Sequence, residues 1–190
     1  MEDARTVNAF FSLQIPTRLV EGVVALQEQR ETVRPQRRDE IHITLTFLHE
    51  ADAVKLADAA ALASGKTWPV PSIRFTGEVR HGSWDLQRNP DYRYDEATAQ
   101  KGEQIRLGVE PVPELLGIHA DLTRNLGGAE EDYWPHVTLG LAREDIPASS
   151  MEDLDIPSES GPARSLDLRQ AGGESGFRIL VRRPLAGDES

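Results

Sequence analysis

A chain of 190 residues, 38% hydrophobic and 28% charged, is long enough to bury one sizeable core and has the composition of a globular domain. A formal charge of −11 argues against coating long nucleic acids, which takes many Lys and Arg contacts to phosphate, but leaves room for a local anion site. Cysteine is absent, which excludes disulfides, thiolate nucleophiles and cysteine-held metals.

Residues 7–16, VNAFFSLQIP, read as a strand ended by Pro16. In TRLVEGVVALQEQR (17–30) apolar residues at 19, 20, 23, 24 and 26 make a helical stripe despite Gly22. PQRRDE (35–40) connects this helix to EIHITLTFLHE (40–50), which reads as a strand. Within RETVRPQRR, Arg30, Arg34, Arg37 and Arg38 stand against a single Glu, a basic cluster in an acidic chain. ADAVKLADAAALAS (51–64) is expected to be helical, with Gly65 as its C-terminal cap. SIRFTGEVR (72–80) alternates as a strand. Residues 81–104 show no period and read as a long surface loop, with a short strand around Trp84–Leu86.

Order returns with IRLGVEP (105–111), a strand, and VPELLGIHADLTRNL (112–126), a helix with apolar residues at 115, 116, 118 and 122. LGGAEED (126–132) is a turn and WPHVTLGLAR (134–143) another strand. Residues 144–163, acidic and rich in Pro and Ser, read as loop. RSLDLRQ (164–170) and GFRILVRRPL (176–185) close the chain as two strands about an AGGESG turn. One domain over 1–190 accommodates all of this. No apolar run reaches the length of a membrane span, and MEDARTVNAFF lacks the basic flank of a secretory signal. A cytoplasmic location is expected, with no membrane and no obligatory protein partner.

Two stretches carry chemistry. In HITL (42–45) alternation puts His42 and Thr44 on one face of the strand, opposite Ile41, Ile43 and Leu45. HVTL (136–139) repeats the pattern, with His136 and Thr138 opposite Val137 and Leu139. Each copy ends a strand–helix–strand unit of similar length, so the chain reads as two related halves, each offering one His-x-Thr strand. A sheet that brought them together would hold two imidazoles and two hydroxyls in one groove. Imidazoles titrate near working pH and can serve as general acid and general base. Hydroxyls and arginines can hold phosphate oxygens as charge gathers on them. The set suits in-line cleavage of a phosphodiester, and no metal-ligand cluster or cofactor motif accompanies it.

The paired motifs resemble those of the two-histidine (2H) phosphoesterases, and in particular the LigT-like RNA 2′,3′-cyclic phosphodiesterases, once called 2′-5′ RNA ligases. AFFSLQIP, VRP before the first motif, ELLGIHADL and YWPHVTL resemble the family's segments in order across most of residues 7–143. The resemblance implies an α+β, bilobal, pseudo-symmetric fold whose groove carries both motifs. It implies His42 and His136 as catalytic residues, Thr44 and Thr138 as phosphate-binding hydroxyls, and metal-independent hydrolysis of cyclic-phosphate RNA ends to a 2′-phosphate. His42 is taken as proton donor and His136 as the base. The family's Arg directly after a short HVTLA strand is displaced here: GL intervenes and Arg143 comes later. Arg34, Arg143 and Trp134 complete the expected substrate-binding set. Trp134, Tyr133, Tyr92 and Tyr94 either stack on a base or serve packing and surface. His49 reads as surface, His119 as packing, and His81 as a possible substrate contact. The alternatives are a phosphodiesterase of small cyclic nucleotides and a noncatalytic module that binds phosphate or RNA ends.

Overall fold

The computed structural model describes residues 6–83, 103–127, 133–142, 154–170 and 177–185. Its elements in chain order are β1 (Val7–Gln14), α1 (Thr17–Glu28), β2 (Val33–Pro35), a 3-10 turn (Arg38–Glu40), β3 (Ile43–Ala51) and α2 (Ala53–Gly65). There follow β4 (Ser72–Ser83), β5 (Glu103–Val109), α3 (Pro113–Leu126), β6 (His136–Ala142), β7 (Ser160–Pro162), β8 (Ser165–Gln170) and β9 (Arg178–Pro184). The strands form an antiparallel sheet in the order β7-β4-β5-β6-β3-β1-β8-β9, with β2 added along β6. Helices beside an antiparallel sheet are the α+β class expected from the sequence.

Alternation sets the core. Ile41, Ile43, Leu45, Val137 and Leu139 are fully buried on the motif segments, while His42, Thr44, His136 and Thr138 are half-buried on the other side. The apolar stripe of α1 (Leu19, Val20, Val23, Leu26) and that of α3 (Leu115, Ile118, Leu122) join the same core. α2 starts where the Asp52 carboxylate accepts the Lys55 amide at 2.8 Å, a cap worth about 1 kcal/mol. It runs through Gly65 into an extended Lys66, so Gly65 is its last residue rather than the cap beyond it. Two three-residue strands have no counterpart in the sequence reading: β2, between the helix read over 17–30 and the connection at 35–40, and β7, within the 144–163 loop. Neither is long enough to show a period, and each exists through its partner. Among the described residues no helix is long and apolar enough to cross a membrane.

Two features place the motif strands. The first is their junction: β3 and β6 pair antiparallel through Ile43 and Val137, the residues that follow the two histidines. The second is a strap across the end of β6. Gln27, buried on α1, donates its amide to the carbonyls of Gln36 (3.0 Å) and Leu139 (2.7 Å). β2 then runs so close to β6 that a Cβ at Gly140 would sit 2.3 Å from the Arg34 carbonyl oxygen. Gly140, directly after HVTL, is what admits this contact. Gly140→Ala is therefore expected to cost roughly 1–3 kcal/mol, the usual penalty for overpacking, read as a lowered midpoint in urea unfolding. An unchanged midpoint would mean that β2 does not need to lie this close.

Candidate functional site

Both histidines are held by one local device. The Nδ1–H of His42 donates to the carbonyl of Glu40 at 2.5 Å, and that of His136 to the carbonyl of Trp134 at 2.9 Å. In each case the acceptor lies two residues upstream. A carbonyl can only accept, so the proton of the neutral ring is assigned to Nδ1 and Nε2 keeps a lone pair. Nε2 of His42 lies 3.2 Å from the Thr44 hydroxyl, which donates to it. Because β3 and β6 run antiparallel through Ile43 and Val137, the register sets His42 toward Thr138 and Thr44 toward His136. The two imidazoles thus occupy opposite corners of a small polar patch, and a charge on His136 would disfavour one on His42.

The walls of the two corners differ. Phe10 stacks on His42 at 5.3 Å, and Phe177 meets His42 edge-on at 5.7 Å and Phe10 at 4.8 Å. Beside this box lies Arg169, only 1% exposed. Its guanidinium donates to the Asp39 carbonyl (3.3 Å), the Gln14 side-chain oxygen (2.9 Å) and Asp167 (3.1 Å). Gln14 in turn donates to the Ile41 carbonyl at 3.1 Å. Asp167 also accepts from Ser165 and from two nitrogens of Arg182. At the other corner Trp134 stacks on His136 at 5.2 Å, and the Arg80 guanidinium lies 4.0 Å from the Trp134 ring centre. Gly108 stands opposite His136, where a Cβ would come within 2.5 Å of Thr76 Oγ1 and 3.1 Å of the Trp134 ring. The indole lies over bare backbone.

These surroundings hold both imidazoles neutral. Loss of solvation, then the Arg169 charge, push His42 down to about 3; loss of solvation, then Arg106 and Arg80, push His136 down to about 4. The unfolded chain takes up protons on these rings below about 6.5 and the folded chain does not until much lower pH, so acid erodes stability across that interval.

The sequence-derived candidates separate into groups. His42, Thr44, His136, Thr138 and Trp134 come together at the β3–β6 junction. Trp134 serves there as a wall of His136, with its ring already engaged by Arg80. Arg34 is exposed on β2 opposite Leu141, at the far end of β6. Arg37 pairs with Asp39 and Arg38 with Glu21, which spreads the basic cluster into local, exposed ion pairs. Arg143, the Trp84–Leu86 segment, Tyr92 and Tyr94 lie outside the described residues, as does the side chain of His81. His119 packs as expected: its Nδ1–H donates to the Leu45 carbonyl at 2.7 Å and its ring stacks on Tyr133 at 3.8 Å. The Tyr133 hydroxyl donates to the Thr44 carbonyl at 2.8 Å, so Tyr133 braces the first motif and is not available as a base-stacking platform. His49 is exposed.

Sequence reasoning missed Arg169, Asp167, Arg106, Phe10 and Phe177. Among the described residues no group of three His, Asp or Glu side chains could hold a metal ion.

No protein-family model matches the sequence. An RNA 2′,3′-cyclic phosphodiesterase of Thermotoga maritima is 26% identical over 125 residues, which cover 63% of this chain. The chain spans 60% of the length of that relative. Among solved structures, apo E. coli LigT matches with a TM-score of 0.66 at 21% identity, over 95% of this chain and 98% of LigT. LigT complexed with 3′-AMP matches with 0.66 at 21% identity, over 96% and 99%. TT0787 of Thermus thermophilus matches with 0.67 at 16% identity, over 96% and 100%.

An NMR titration of the imidazoles is expected to put both midpoints below the ordinary value near 6.5. Removing the cation in Arg169→Gln should move the His42 midpoint up and leave that of His136 nearly in place. Two rings titrating at or above 6.5 would show that neither corner is desolvated.

Proposed function

We propose, for a chain with the fold and paired motifs of the LigT-like 2H phosphoesterases, metal-independent opening of 2′,3′-cyclic phosphate RNA ends to 2′-phosphates. The observation that carries it is the antiparallel meeting of two His-x-Thr segments, each ring oriented by its own backbone so that Nε2 is the working atom. The names and ligands of the relatives agree with it: a cyclic phosphodiesterase, and LigT complexed with phosphate and with 3′-AMP. On this reading each half of the chain supplies one corner of a bilobal, pseudo-symmetric site.

One Nε2 takes a proton from water as its oxygen attacks phosphorus. The bond from phosphorus to the 3′-oxygen breaks, and the other ring, protonated, gives its Nε2 proton to that oxygen. Thr44 and Thr138 donate to the non-bridging oxygens, where charge gathers. Both rings rest neutral beside cations, so an arriving phosphodiester anion offsets those cations and lets one ring take the proton it must deliver. His42 as donor and His136 as base is the assignment carried forward, and a substrate with an activated aryl leaving group tests it. Such a leaving oxygen needs no proton, so it should rescue the acid variant alone.

His42→Ala and His136→Ala are each expected to lower kcat by about 100-fold or more on a 2′,3′-cyclic-phosphate oligonucleotide, with full wild-type turnover in EDTA. Aryl-ester rescue of His136→Ala instead of His42→Ala would reverse the roles. Turnover lost to chelation and restored by added metal would overturn the mechanism. Binding without turnover, on RNA ends and on small cyclic nucleotides alike, would leave a binding module.

Arg34, exposed on the strand that extends β6, is placed to meet a phosphate upstream of the RNA end. Arg34→Gln should raise KM for an oligonucleotide and flatten its salt dependence, while sparing a mononucleotide cyclic phosphate. Equal effects on the two substrates would remove Arg34 from the RNA path.

A further inference from the structure

The sheet carries a row of charge through Thr138 that the chemistry above does not use. The antiparallel register sets Arg106 of β5 opposite Thr138 of β6, and Arg80 of β4 opposite Arg106. Facing residues of neighbouring strands project on the same side of a sheet, so Arg80, Arg106 and Thr138 form one row. The next row holds Gly108 and His136. Two arginines directly opposite each other repel. Arg80 is relieved by Glu78, to which its Nε donates at 2.7 Å, and by the Trp134 ring.

Arg106 is not relieved in this way. It is half-buried, its Nε donates to the neutral amide oxygen of Gln104 at 3.1 Å, and among the described residues no carboxylate pairs with it. Taking a guanidinium partly out of water is unfavourable where its partner is neutral, as the Gln104 partner is among the described residues. Its charge also reaches His136, which it helps to keep neutral. A cation held this way beside a hydroxyl and an imidazole is completed by an anion.

We propose that Arg106 binds a non-bridging oxygen of the substrate phosphoryl group, beside the Thr138 hydroxyl. The proposal rests on the reading of function given above and adds to it the cation that meets the growing charge on phosphorus-bound oxygens. The bond to Gln104 occupies Nε, so the Nη pair presents the donors.

The test is a titration of inorganic phosphate into the wild type, Arg106→Gln and Arg106→Lys, followed through the imidazole resonances of His42 and His136. Melting curves and turnover of a 2′,3′-cyclic mononucleotide accompany it. Arg106→Gln should weaken phosphate binding by about 10-fold or more, as expected for a lost charge-assisted bond, and lower kcat/KM at least as much. Arg106→Lys should fall between, keeping the charge but not the fork. Phosphate bound as tightly by Arg106→Gln as by the wild type, or not at all by the wild type, overturns the assignment. If Arg106→Gln does not fold, Arg106→Lys decides: wild-type affinity in that variant removes the fork. A wild type that turns over cyclic phosphates with phosphate affinity independent of Arg106 refutes this assignment alone. A wild type that binds phosphate through Arg106 but turns nothing over refutes the reading of function instead.

Discussion

Asp167 is fully buried and Arg169 nearly so, and the turn that presents His42 hangs from that pair. Three successive carbonyls of the turn each have their own donor: Arg169 for Asp39, His42 for Glu40 and Gln14 for Ile41. Gln14 also accepts from Arg169, which closes the circuit between β1, β8 and the turn. A guanidinium inside a protein is tolerated only where hydrogen bonds and a counter-charge surround it. Asp167 supplies that charge and is itself shared with Arg182 and Ser165. None of these groups can move without exposing another, and the orientation of the first histidine follows from that constraint.

The two corners solve one problem by different means. A histidine that must exchange protons is often poised by a carboxylate, which raises its basicity. Here the walls of the rings are aromatic, and cations are the leading charges that act on them. Phe10, Phe177 and Arg169 surround His42, while Trp134, Arg80 and Arg106 serve His136. Such surroundings disfavour a further positive charge on the rings and favour an anion beside them. Proton uptake and anion binding are thereby linked, since each makes the other easier. A ring at either corner is therefore protonated more readily once an anion lies beside it.

Much of this was legible in the sequence because two periods are strong in it. The 2-residue alternation of HITL and HVTL put each histidine on the face with its threonine, and the apolar stripes of α1 and α3 located the helices within one or two residues. What escaped was the part that depends on pairing between distant strands. Asp167 and Arg169 alternate with Leu166 and Leu168, which along one strand is indistinguishable from an ordinary wetted face. They are buried with groups from β1, β9 and the turn before His42, which meet them only in the folded sheet. Arg106 likewise matters through its register against Thr138 and Arg80, which no local pattern encodes. The basic cluster is dispersed in space in a way the sequence does not show. Arg37 and Arg38 stand out in the sequence, yet Asp39 and Glu21 meet them in space.

The hydrogen bonds on Nδ1 separate two properties of the site that are often coupled. Each ring takes its tautomer from a carbonyl two residues earlier on its own segment, so the protonation pattern travels with the segment wherever it is docked. The seating of the two segments against each other adds longer-range contacts to the strand junction and the strap. Tyr133 and His119, stacked on each other and belonging to the second half, reach across to the Thr44 and Leu45 carbonyls of the first. Ring tautomer is thus a short-range inheritance and the seating of one segment against the other a long-range one, written in different residues. Substitution at the aromatic brace can shift one motif segment against the other while each ring keeps the tautomer that its own segment sets.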